Sequence, residues 1–120
     1  MSELHDVPSA RELVESVREW MERDVLAATS GRVQFHTRVA INVLAMVERE
    51  LELGPGQARE HDERLRGLGV ESDAELAEAI RHGRLDDRLS EVVDAVRADV
   101  IAKLRVANPN HLVREHRTPE

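Results

Sequence analysis

Cysteine is absent from this sequence, which excludes disulfides, thiolate metal sites and cysteine nucleophiles. Aromatic residues are nearly absent: Trp20 and Phe35 are the only two, and there is no tyrosine. That composition argues against a ring-rich β-sandwich core and against a base-stacking surface. Lysine occurs once, at Lys103. The remaining positive charge is arginine, which with abundant Ala and Val reads as the codon bias of a G+C-rich bacterium. Basic residues are also outnumbered, 17 against 24 acidic, for a net charge of −7. A nucleic-acid or anionic-membrane binder leans the other way. The longest nearly apolar run, Val39 to Val47, is bounded by Arg38 and Glu48 and reaches only about half the ~20 residues of a membrane span. Met1 to Pro8 carries Glu3, His5 and Asp6 where a secretory leader would hold an apolar stretch. The expectation is a soluble, cytoplasmic protein with neither nucleic acid nor membrane as partner.

What is present is helical periodicity. The 120 residues leave room for one domain and suffice to bury roughly two-thirds of the unfolded surface. Ser9 with Glu12 forms a capping-box pattern just after Pro8. Leu13, Val17, Met21 and Val25, flanked by Val14 and Trp20, then paint a stripe on a helix over about 10–28. Arg11, Glu15, Arg18, Glu19 and Glu22 occupy the opposite face, and Thr29-Ser30-Gly31 supplies a break.

The second helix, about 32–53, is apolar around nearly its whole circumference: Phe35, Val39, Ala40, Ile41, Val43, Leu44, Ala45, Met46 and Val47. Such a helix is buried, either as the central element of a bundle or as a surface for self-association into a homodimer. Gly54-Pro55-Gly56 reads as its stop. A polar helix follows over 57–68, with Ala58, His61, Leu65 and Leu68 as a thin apolar edge. Ser72 with Glu75 repeats the capping box for a short helix through Ile80, with Gly83 as the residue just past its end. The last helix, about 87–106, carries the stripe Leu89, Val92, Val93, Val96, Val100 and Leu104 and ends at Asn108-Pro109. No stretch alternates with period two, so the fold class is all-α: a compact bundle of three long and two short helices with the second central. The domain spans 9–109, between a flexible N-terminus (1–8) and a flexible tail (110–120).

Chemistry is sparse. Helical metal sites use His at i,i+4 or Glu-x-x-His, and none of the six histidines has either spacing. Glu78 with His82 sits at a helix end, where a histidine favours the dipole. The acidic cluster Glu60-His61-Asp62-Glu63 points in several directions around its helix. No serine lies in a nucleophile elbow, Gly67-Leu68-Gly69 is no phosphate loop, and Asp86-Asp87 suits a helix start. A helix-turn-helix reading fails because the would-be recognition helix presents acids to the phosphates. No cofactor and no metal are called for.

The most informative polar set is Arg32, His36, Arg38 and Asn42 on the second helix. Asn42 interrupts the most apolar stretch and is therefore expected to be buried and hydrogen-bonded. Together the four residues would line a small-ligand pocket for an anion or a carbonyl, or form a satisfied network that fixes helix register. The network is the simpler reading, because buried polar groups serve packing specificity first.

Ser30-Gly31-Arg32-Val33-Gln34-Phe35-His36-Thr37-Arg38-Val39-Ala40-Ile41-Asn42-Val43-Leu44, Arg49-Glu50-Leu51-Glu52-Leu53-Gly54 and Lys103-Leu104-Arg105-Val106-Ala107-Asn108-Pro109 resemble a small bacterial family of unknown function. Its members are often encoded beside acyl-CoA dehydrogenases and aminoglycoside-phosphotransferase-like kinases. The likeness spans about 9–109, although 57–86 matches only in helical character. The family has no established catalytic residues to carry over. The resemblance implies a setting in acyl-CoA or hydroxy-acid catabolism, and a helical accessory protein whose partner is such a kinase or dehydrogenase. The alternative is a small-ligand-binding bundle with its site at His36, Arg38 and Asn42.

Overall fold

The first helix begins where the capping box places it. In the computed structural model, which describes residues 7–115, the Ser9 hydroxyl accepts from the Glu12 N–H at 3.2 Å. The Glu12 carboxylate in return accepts from the Ser9 N–H at 2.8 Å. The helix α1 (Ala10–Trp20) passes through one π-helical turn (Met21–Val25), in which the Leu26 N–H reaches back five residues to the Met21 carbonyl, and resumes as α2 (Leu26–Ala28). After the break at Thr29 and Ser30 come α3 (Gly31–Gly67), α4 (Asp73–Arg81), a 3₁₀ turn (Asp86–Arg88), α5 (Leu89–Ala107) and α6 (Pro109–Glu115). No strand occurs among the described residues, and the all-α class stands.

Two glycines end helices for a backbone reason. Gly69 has φ 82° and Gly83 φ 75°, the left-handed region that L-residues with a Cβ avoid. Beyond Gly69, the Val70 N–H donates to the Leu65 carbonyl and the Gly69 N–H to that of Arg66, both at 3.0 Å. Beyond Gly83, Arg84 donates to Ala79 at 2.9 Å and Gly83 to Ile80 at 3.2 Å. Both are Schellman ends, which satisfy carbonyls the helix would leave orphaned.

The chain divides into two compact units, Met1–Leu53 and Gly54–Glu120. The core belongs to the second: Leu65, Leu68, Val70, Leu76, Ala79, Leu85 and Val92 form one buried cluster with Ala95 packed against it. The first unit is a hairpin of α1–α2 against the start of α3. Arg18 donates to both carboxylate oxygens of Glu48, the second bond from Nη2 to Oε1 at 3.3 Å. The Gln34 amide ties the turn by donating to the carbonyls of Thr29 (2.9 Å) and Leu26 (3.1 Å).

Several expectations are corrected here. The proposed stop at Gly54-Pro55-Gly56 is no stop, because α3 runs through Pro55 to Gly67. A proline inside a helix removes one hydrogen bond, here to the Leu51 carbonyl, and crowds the preceding turn. Pro55 is exposed, and the residues beyond it are held helical by tertiary contacts. Leu65 and Leu68 are buried, and the Gln57 amide donates to the Ala102 carbonyl at 2.8 Å. The second helix is also not the covered centre of its unit: Phe35, Val39, Val43, Met46 and Val47 are all exposed. On α1, Leu13 and Val17 lie uncovered, while Arg18, assigned to the solvent face, points at α3. Helix resumes at Pro109 and continues to Glu115, where the tail was expected, because proline is tolerated in a first helical turn. Residues 1–6 of the proposed flexible N-terminus and 116–120 of the proposed tail lie outside the described residues.

Candidate functional site

The best-formed polar constellation lies in the second unit. His61, Arg64, Leu65 and Leu68 follow one another at helical spacing on α3. The two leucines enter the core, and the two polar residues meet Asp99 on α5. Arg64 donates to Asp99 Oδ1 from Nε at 3.1 Å and from Nη2 at 2.7 Å. The imidazole Nδ1 of His61 lies 3.0 Å from the same oxygen. Its Nε2 lies 3.1 Å from Asp73 Oδ1, at the start of α4. One ring thus bridges two carboxylates and ties three helices together.

These pairings set the protonation of the group. Its hydrogen bond to Asp99 raises the His61 pKa above the ordinary value, against the opposing effect of partial burial, and Asp73 adds to the rise. Burial pushes Asp99 upward, but the bonds from Arg64 and His61 outweigh it and hold the carboxyl below its usual range. The site is therefore a polar clamp: an imidazole biased toward its protonated form and a guanidinium around an aspartate biased toward its ionised form.

Beside it opens a cleft of about 390 Å³, lined by Gln57, His61, Arg64, Asp73, Asp99 and Lys103 among others. Both nitrogens of His61 are engaged, so the ring has no free lone pair with which to take a proton from a substrate. Among the described residues, no three His, Asp or Glu side chains are grouped to hold a metal ion. His61 illustrates why, since its two carboxylate neighbours sit at opposite nitrogens of the ring. Sequence reasoning noticed His61 only as an apolar edge and as part of an acidic run. The usable signal was the i,i+3 spacing of His61 and Arg64 on the same side as Leu65 and Leu68, but nothing local pointed to Asp99, thirty-five residues beyond Arg64.

The sequence-derived set lies in the first unit. Arg32, His36, Arg38 and Asn42 are all exposed on α3. At 100° per residue they spread over nearly half the helix circumference, so they do not converge on one point. Arg38 makes a long bond, 3.4 Å, to Gln34 Oε1, and the His36 ring meets Phe35 edge-on with centroids 5.4 Å apart. Asn42 is not buried. It does interrupt the most apolar stretch of the chain, but that stretch is itself uncovered. The residue that is buried here is Thr37, whose hydroxyl donates to the Val33 carbonyl at 2.7 Å.

What these four residues border is an apolar face. Phe35 is 60% exposed, Trp20 52% and Leu13 54%. Val17 on α1 and Val33, Val39, Val43, Met46, Val47 and Leu51 on α3 are uncovered beside them. Half-exposed single residues are ordinary, but here many lie on one hairpin. In the second unit, α5 carries a narrower stripe of the same kind in Leu89, Val93, Val96 and Val100.

Fold and surface together define a small all-α protein with its buried core in one unit and an uncovered apolar hairpin in the other. Residues 27–111 match the model of the family described as Domain of unknown function (DUF6285), and the chain belongs to that family. No curated protein and no solved structure matches it.

Proposed function

We propose that this protein is a non-catalytic helical accessory protein that works by binding other proteins. The observation that carries the reading is the uncovered apolar side chains, gathered in stripes on α1, α3 and α5 instead of scattered singly; such stripes mark protein contact surfaces. The net charge of −7 supports a protein partner over nucleic acid or an anionic membrane. The family resemblance supplies the setting, acyl-CoA or hydroxy-acid catabolism in a bacterial cytoplasm. A phosphotransferase-like kinase or an acyl-CoA dehydrogenase is the partner it implies.

The test is purification of the tagged protein from its own host at native expression, with mass spectrometry of what accompanies it. A kinase-like protein or an acyl-CoA dehydrogenase in stoichiometric amount is the expected result. Its loss from a Val93→Glu variant of unchanged helix content would place the contact on α5. Recovery of the chain with no other protein overturns the accessory role.

A further inference from the structure

The cleft of the second unit is open because the residues facing each other across it are small. Gly54 and Ala58 precede His61 by two turns and one on the same side of α3. Ala102 of α5 lies across from them, where the Gln57 amide reaches its carbonyl at 2.8 Å. Side chains this short leave about 390 Å³ open and give the space an apolar wall. Its charged end is the clamp of His61, Arg64 and Asp99. Lys103, the only lysine of the chain, lines the same space. It follows Asp99 by one turn on the same side of α5, and helical side chains lean toward the N-terminus, a direction that carries its ammonium toward the clamp. That ammonium has no ion-pair or hydrogen-bond partner among the described residues.

The contacts of His61 show what this donor set takes. Asp99 Oδ1 lies 3.0 Å from its Nδ1 and Asp73 Oδ1 lies 3.1 Å from its Nε2. An imidazole donates from both nitrogens only in its protonated form, so a carboxylate on each side favours that form. The two carboxylates are held differently. Asp99 also accepts from Arg64 Nε and Nη2. Asp73 is the first residue of α4, its side chain is 77% exposed, and His61 is its only side-chain partner among the described residues. So exposed a pair contributes little and yields readily to a competitor. With Asp73 turned to solvent, the cleft presents His61, Arg64 and Lys103 against the single carboxylate of Asp99. A cationic pocket then opens in a chain whose net charge is −7.

From this we infer that the cleft is a binding site for a small organic carboxylate, and that Asp73 is its stand-in from within the chain. The carboxylate of the ligand replaces that of Asp73 at His61 Nε2 and accepts from Lys103 Nζ. Its short aliphatic part lies against Ala58 and Ala102, toward Gly54. Inorganic phosphate has no apolar part to set against those residues. The inference concerns the second unit alone and does not rest on the protein-binding reading.

Titration of the purified chain with butyrate at about pH 6 and constant ionic strength, followed by the ring-proton magnetic resonances of His61, tests it. A saturable shift with a dissociation constant on the order of 1 mM is expected. Asp73→Asn removes the internal competitor and is expected to tighten butyrate binding about threefold to tenfold. Lys103→Gln is expected to weaken it about fivefold. Both residues are exposed, so the helical circular dichroism of each variant should match the wild type. No saturable shift up to about 100 mM butyrate overturns the proposal. So does an equal shift with butyramide, which lacks the charge, and so does tighter binding of inorganic phosphate than of butyrate. Wild-type affinity in Asp73→Asn or in Lys103→Gln overturns it as well.

Discussion

The two units are built from the same kind of helix and reach opposite outcomes. In the second, three helices meet at angles that let Leu65 (4% exposed) and Ala79 (3%) disappear among Leu68, Val70, Leu76, Leu85 and Val92. In the first, two helices lie side by side, and Thr37 is the one described residue that is buried. A helix pair offers each member a single neighbour, so an apolar surface wider than one contact stripe stays wet. A third helix closes that gap. The comparison teaches that the richer apolar content of residues 31–53 does not make a buried core, whereas the plainer stretch 57–92 does, because there the apolar residues of several helices converge.

The sharpest way to break this contrast is truncation at matched positions. Leu65→Ala should lower the unfolding free energy by about 2–5 kcal/mol, since it opens a cavity in a closed cluster. Leu13→Ala, at a residue 54% exposed, should change it by less than about 0.5 kcal/mol. Denaturant melts followed by circular dichroism measure both, and equal losses would erase the distinction.

The next effect concerns the residue just past the boundary between the units. Pro55→Ala restores the N–H that the Leu51 carbonyl lacks and relieves the crowded turn. It should raise stability by about 1–3 kcal/mol, seen as a higher melting temperature. An unchanged melt would mean that the proline is already accommodated at no cost.

The smallest effect belongs to the His61 clamp of the second unit. A histidine with its folded pKa raised above 6.5 holds its proton more tightly folded than unfolded. Its contribution is fully present below pH 6.5 and is lost as pH climbs through the raised value. Asp99, lowered from 3.8, contributes above that value and loses its effect as pH falls through the lowered one. Both act together between pH 3.8 and 6.5. Melts should therefore show stability rising as pH drops from about 8 toward about 6. His61→Gln should flatten that rise. A rise of equal slope in the variant would assign it to another group.

Helix starts and ends were legible residue by residue. Ser9 with Glu12, Ser72 with Glu75 and the turn at Gly83 act through neighbours three to five positions away, so their chemistry is present in any short window of sequence. The stop assigned to Gly54-Pro55-Gly56 failed for the converse reason: Gln57, His61, Arg64 and Leu65 are anchored by α5, whose residues lie far along the chain, and those anchors outweigh a local breaker. The candidate site was the least legible. Asn42 was assigned to the interior because its neighbours are apolar, yet an apolar neighbourhood shows only which side chains water disfavours, not whether this chain has enough helices to cover them.

The sequence by itself determined the helical class, the capping box at Ser9 and Glu12, the Ser72 cap (whose Glu75 carboxylate instead accepts from the Glu71 N–H), the glycine-terminated helix before Leu85 and the absence of thiol chemistry, all of which depend on residue type and short spacing. Only the tertiary structure decided that Pro55 lies within a helix, that Arg18 meets Glu48, that His61 and Arg64 clamp Asp99, and that the most apolar helix faces outward. Each of those depends on which residues distant in the chain come within a few ångströms of one another, and periodicity carries no record of that.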